Sequence, residues 1–321
     1  MRIGKMNFAH TLVLFPFLGL CTESGLFAQV IDNTSSFRNI ELDSYFRIHY
    51  ENDFFTATDK YYTQGVNFEY VNPVFNKFFL NKFLYHPANL KLKYGITVEQ
   101  DCYTPSTIRH EGVFYGDRPY GATMFANYFS VAVDSAKKQR VAAELTAGVL
   151  GPCAVCEQEQ IAIHTGLHDA LPLGWQYQIH TDAILNYKIA HERELLRFRN
   201  LISFSSYAEA RAGTLSDKAG LGFSTMLGNC NVYSHQKIKI HFYAQAMVEV
   251  IGYDATMQGG LFDRGSPYLI PASGITRIVE QANAGAVIQI HKLYLEYFQT
   301  ILSKEFTGGT YHRWGGIRIG W

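Results

Sequence analysis

The sequence predicts an all-β protein, an antiparallel transmembrane β-barrel of about 12 strands with a short helix in an extracellular loop. Three observations carry that prediction. Apolar and polar residues alternate with period two in segment after segment. Aromatics make up 15% of the chain and charged residues 17%, yet no later stretch holds the roughly 18 uninterrupted apolar residues of a spanning helix. Short and long connections alternate along the chain.

The N-terminus reads as a secretory signal peptide over residues 1–28. Arg2 and Lys5 give the positive region, Leu12 to Leu20 the apolar core, and Leu26-Phe27-Ala28 a cleavage site before Gln29. Leu18-Gly19-Leu20-Cys21 resembles a lipobox, but Leu20 is too large for the position before the cysteine. Residues 29–321 then form one outer-membrane barrel domain. Lys plus Arg and Asp plus Glu both number 28, so no basic field points to nucleic acid. After cleavage Cys102, Cys153, Cys156 and Cys230 remain, and an exported chain can pair them. Cys153 and Cys156 have redox-motif spacing without the βαβ context of such a motif, and the pairing stays open.

Taken in order, the strands are expected at 44–54, 62–72, 91–101, 121–134, 139–150 and 175–188. Six more follow at 196–213, 218–228, 236–251, 277–291, 293–303 and 312–321. The ninth is the clearest, with Ile238, Ile240, Phe242, Ala244, Ala246, Val248 and Val250 on one face and Lys239, His241, Gln245 and Glu249 on the other. Short turns fall at Ser135 to Lys138 and around Lys292, and long loops at 102–120, 152–174 and 252–276. Pro73 to Asn89 breaks the pattern, running long on the short-turn side.

The first hairpin carries unusual polarity. Glu51-Asn52-Asp53-Phe54-Phe55 ends the first strand, and Tyr62-Thr63-Gln64-Gly65 opens the second. Helix formers from Glu157 to Leu171, stopped by Pro172 and Gly174, predict a helix in the loop after the fifth strand. Gln160 and His164 lie four apart and share one face, with His168 continuing the row. An imidazole can take a proton from water, and a cation can stabilise the oxyanion formed on an ester. Asp53 with amide or backbone oxygens suits Ca²⁺ better than zinc. The chain has no Gly-x-Ser-x-Gly elbow, and His191-Glu192-Arg193-Glu194 lacks the second histidine of a zincin.

These residues together resemble the lipid A 3′-O-deacylase family. The motifs are Glu51-Asn52-Asp53, Tyr62-Thr63-x-Gly65, Asp117-Arg118-Pro119-Tyr120-Gly121, Gly151-Pro152, Gln160-x-x-x-His164 and Gly174-Trp175-x-x-Gln178, in that order. The resemblance implies an outer-membrane barrel that hydrolyses the 3′-acyloxyacyl ester of lipid A in a Ca²⁺-dependent reaction. It implies His164 as the base that activates water. Asn52, Asp53 and Thr63 form the metal and oxyanion side, with Asp53 a metal ligand, and Gln160 orients His164 or substrate. Arg118 contacts a lipid A phosphate, and Asp169 is the nearest counterpart of the family's acidic residue after the histidine. The Arg-Pro-Tyr motif here runs straight into Gly121-Ala122, where the family usually has Ala-Gly. The expected protein is a monomer whose partners are lipid A and the outer membrane. The alternatives are a non-enzymatic pore or scaffold, and an outer-membrane phospholipase. By topology the named residues collect at one rim, the extracellular one, and by parity Asn52 faces lipid.

Overall fold

The computed structural model describes residues 42–58, 60–88, 90, 92–229 and 237–321. The expected signal peptide and Cys230 lie outside the described residues. Twelve antiparallel strands close on themselves. They are β1 (Tyr45–Asn52), β2 (Tyr61–Val71), β3 (Leu92–Thr104), β4 (Gly121–Asp134), β5 (Gln139–Leu150) and β6 (Asp182–Phe198). The circuit continues through β7 (Ile202–Gly213), β8 (Ser216–Gly228), β9 (Ile238–Asp254), β10 (Ile278–Ile290), β11 (Leu293–Leu302) and β12 (His312–Gly320). Each strand pairs with its sequence neighbours, and β1 pairs with β12 from Arg47↔Gly320 to Asn52↔Gly315. Closure leaves no unpaired edge, a requirement where no water can satisfy backbone groups.

The alternation read from the sequence sorts the two faces. In β1 Tyr45, Arg47, His49 and Glu51 point inward and are buried, while Phe46, Ile48, Tyr50 and Asn52 point outward. The lumen is filled by paired charges. Lys218 Nζ lies 3.1 Å from Glu209 and 3.0 Å from Glu249. Arg318 reaches Glu296 at 2.6 Å and Glu51 at 3.5 Å, and Arg140 reaches Glu192 at 2.5 Å. Twelve strands lie between the roughly eight whose interior side chains just fill and the roughly 16–18 that leave an open channel, and these buried ion pairs plug part of the lumen.

Three expected elements are corrected, one of them the seventh strand, expected at 196–213, which starts at Ile202 because the sixth extends to Phe198. The sixth strand was expected at 175–188 but runs Asp182–Phe198. His191 to Glu194 lie between the expected sixth and seventh strands, yet Glu192 and Glu194 point into the lumen, where Arg140 and Lys138 meet them. Trp175–Tyr177 is a separate 3-10 turn. The loop helix, α1 (Cys156–Leu167), ends four residues before Leu171 because His168 adopts left-handed φ 56 and caps it. His168 therefore leaves the row that Gln160 and His164 share.

The long 72–91 connection folds into two 3-10 turns, Pro73–Lys77 and Phe79–Phe83. Asn72 caps the first by accepting from the Val74 N–H at 2.9 Å, and Pro73 starts it where a missing N–H costs nothing. The turns lie against the outer wall of the barrel.

Candidate functional site

At the end of β1 the chain turns sharply. Asn52 closes the outward row and caps a 3-10 turn at Asp53–Thr56, its Oδ1 accepting from the Phe54 N–H at 2.8 Å. Asp53 is buried, and its Oδ2 accepts from the Lys60 N–H at 2.9 Å. Thr56 and Thr58 hydroxyls donate to the Arg313 carbonyl at 2.9 and 2.6 Å, tying the turn to β12. The hairpin thus holds Asp53 rigidly at the rim.

Thr63 is the extra residue of a β-bulge: Tyr62 pairs with Tyr103 and Gln64 with Cys102, leaving Thr63 unpaired on β3. The bulge reverses side-chain parity across one residue. Tyr62 turns inward to donate to Asp101 at 3.0 Å, while Thr63 meets the Thr104 hydroxyl at 2.7 Å. Gly65 is needed here, since a Cβ would sit 1.9 Å from the Tyr62 hydroxyl.

α1 lies along the outer wall above β2 and β3, held by four contacts. Cys156 forms a disulfide with Cys102, an outward residue of β3. Gln64 Nε2 donates to Glu159 at 2.8 Å, and Gln100 Nε2 donates to the Ala154 carbonyl at 2.7 Å. Trp175 Nε1 donates to Gln160 Oε1 at 2.6 Å from beneath the helix. Trp175 packs on Tyr120 with ring centroids 4.9 Å apart, and a side chain at Gly174 would strike that ring at 2.3 Å. Gln64 pairs with Asn52 in the sheet, so α1, Thr63 and the outward end of β1 share one surface.

The two polar residues on the shared face of α1 are each set by one bond. Indole N–H can only donate, so the oxygen of Gln160 must face Trp175 and its NH₂ must point away. That NH₂ is buried with no hydrogen-bond partner, in a residue 7% exposed. Leaving a buried donor unmet costs about 1–3 kcal/mol. His164 Nδ1 lies 2.6 Å from the Ala170 carbonyl. A carbonyl accepts only, so Nδ1 carries a proton, and in the neutral tautomer the lone pair is at Nε2. Asp169, the nearest counterpart of the family's acidic residue, turns its carboxylate to the loop, where Oδ1 accepts the Ala170 N–H at 2.7 Å. Asp169 shapes the loop whose carbonyl holds the ring.

Arg118 is elsewhere. It is 1% exposed, with Nη1 2.5 Å from Glu305, Nη2 donating to Thr256 at 2.7 Å and the guanidinium 4.4 Å from the Tyr103 ring centre. Burial opposes its charge, but Glu305 and Asp254 outweigh that and raise its pKa. A guanidinium so enclosed is not presented to a lipid phosphate, which corrects the expected substrate contact. It ties the β3–β4 loop to the β9–β10 and β11–β12 connections. Sequence reasoning missed the Cys102–Cys156 bridge, Gln64, Gln100 and Glu159. The even cysteine count was the one signal for the bridge, and the others carry no motif.

The oxygens here (the Asp53 carboxylate, the Thr63 and Thr104 hydroxyls, Glu159) are hard donors of the kind Ca²⁺ takes. Among the described residues no group of three or more His, Cys, Asp or Glu is placed to hold a metal. A calcium shell takes roughly six to eight oxygens, which backbone, water and substrate oxygens can share with side chains.

The sequence matches the family described as outer membrane protein LpxR over residues 13–321. No curated protein matches the chain. Among solved structures, LpxR from Salmonella typhimurium is 18% identical, covering 87% of this chain and 99% of its own, with a TM-score of 0.72. The β domain of the Bordetella autotransporter BrkA is 7% identical, covering 87% of this chain and 98% of its own, with a TM-score of 0.48.

Proposed function

From the premise that the chain belongs to the LpxR family of outer membrane proteins, we propose that it hydrolyses the 3′-acyloxyacyl ester of lipid A, with Ca²⁺ and a water activated by His164. The observation that carries this reading is the position of α1. It lies on the outside of the wall with His164 half-buried and Gln160 packed beneath it, where a substrate can be reached without leaving its leaflet. His164 Nε2 takes a proton from water as the water oxygen bonds to the acyl carbonyl carbon. The ester C–O bond then breaks, and the departing alkoxide takes the proton from Nε2, leaving a free 3′-hydroxyl and a carboxylic acid. The unpartnered NH₂ of Gln160 is the donor available to a substrate carbonyl or oxyanion. Asp53 would hold the Ca²⁺, with backbone, threonine, water and lipid oxygens completing the shell. When bound, the ion supplies positive charge beside the reacting ester.

The test is mass spectrometry of lipid A from cells making the wild type, His164→Ala or Asp53→Ala at matched membrane levels. Loss of a 3′ acyloxyacyl group with the wild type alone is expected. Unchanged lipid A with the folded wild type and ample calcium would sink the proposal.

A further inference from the structure

The β2–β3 connection lies at the end of the barrel where the turns are short, the periplasmic end of an outer-membrane barrel. It does not hang free there. The Tyr128 hydroxyl contacts the Phe75 carbonyl at 3.2 Å and Asn81 Oδ1 at 2.5 Å, and the Tyr85 N–H donates to the Tyr187 hydroxyl at 2.8 Å. Leu84, 2% exposed, packs with Tyr94, Tyr128 and Ala143. All of these wall residues belong to the outward rows of β3 to β6, so the segment is laid upon the lipid-facing surface and continues it.

Its other side is apolar and cationic. Val74 is 69% exposed, Phe79 63% and Phe83 60%, with Phe78 and Tyr85 beside them. From Asn72 to Lys93 the sequence has four lysines and no acidic residue. Lys77 and Lys82 close the two 3-10 turns, and both are exposed. Aromatic residues with lysines beside them, at the edge of a lipid-facing wall, match the interfacial layer of a bilayer.

We propose that residues 73–85 are an interfacial anchor seated in the head-group layer of the inner, phospholipid leaflet, where Lys77 and Lys82 contact lipid phosphates. The aromatics enter the boundary between head groups and chains, and the lysine stems reach back to the phosphates. The anchor fixes the depth of the barrel on the side that carries α1, since both lie against β3. It does not depend on the reaction proposed above.

The test uses the folded protein in vesicles of phosphatidylcholine and phosphatidylglycerol, with Phe79→Trp and separately Phe83→Trp as reporters. The added emission, taken as the difference from the parent, is expected to be quenched by lipids brominated near the head group. Emission quenched by no lipid, or only by bromines near the bilayer centre, overturns the placement. In the Lys77→Gln/Lys82→Gln variant, native mass spectrometry should show preference for phosphatidylglycerol over phosphatidylcholine falling roughly thirtyfold at low salt. An unchanged preference overturns the phosphate contact. Heat-modifiable migration in gels establishes that each variant is folded.

Discussion

Removing the Cys102–Cys156 bridge should loosen α1 while leaving the barrel standing. The two cysteines are 54 residues apart, and for a ring of that length the chain-entropy relation gives about 4 kcal/mol. In the folded barrel most of that ring is already closed. Cys102 pairs with Ala122 in the sheet, and the Gly151 N–H donates to the Ala122 carbonyl at 2.7 Å. The bridge then closes only the path from Gly151 to Cys156, a ring of roughly eight residues worth about 2.5 kcal/mol. That corresponds to about seventyfold in the ratio of docked to undocked helix, as an upper figure. Gln64–Glu159, Gln100–Ala154 and Trp175–Gln160 remain to hold the helix. In Cys102→Ser/Cys156→Ser protein, amide hydrogens of α1 should exchange faster, by up to about seventyfold, while those of β3 to β5 keep their protection. Release of 3′ acyl chain should fall as the undocked helix becomes populated. Exchange in α1 indistinguishable from the wild type would refute the reasoning, because the remaining contacts would then be sufficient alone.

Other expectations follow from the same geometry. Trp175→Phe keeps the packing on Tyr120 but frees the amide of Gln160. Turnover should drop about tenfold, from a lost bond of about 1–1.5 kcal/mol, and steady-state kinetics showing no change would mean that Gln160 does not work through this contact. Arg118→Met removes the guanidinium that faces buried Glu305, a loss of up to about 3–5 kcal/mol. It should lower the thermal midpoint without altering KM for lipid A carrying or lacking its phosphates; a KM change confined to phosphorylated lipid would restore the substrate-contact reading. Chelation of Ca²⁺ should abolish hydrolysis reversibly in the wild type, and Asp53→Asn should demand more calcium for half-maximal rate. Equal calcium curves for the two proteins would remove Asp53 from the metal side.

The barrel was legible in the sequence because period two is a local property. A side chain that must face lipid is apolar whatever its neighbours do, so β4 and β5 run over the residues that alternation marks. The outward parity of Asn52 was legible for the same reason, and the helix carrying Gln160 and His164 from its helix formers and the Pro172 and Gly174 that follow. Where pairing adds or removes a residue, the local rule fails. The bulge at Thr63 turns Tyr62 inward against its parity, and only the register with β3 reveals it. Charges mislead similarly. His191 to Glu194 fall between two expected strands until Arg140, on the neighbouring strand, and Lys138 beside it are seen to meet Glu192 and Glu194, and Arg118 reads as a lipid contact until Glu305 closes on it from 187 residues away. The Cys102–Cys156 bridge and the carbonyl that sets the His164 tautomer are likewise matters of position. Alternation and turn chemistry determined the architecture and the rim at which the polar residues gather. Only the tertiary structure decided which of them are buried, bridged or held by a single bond, because that depends on partners brought together by closure of the barrel.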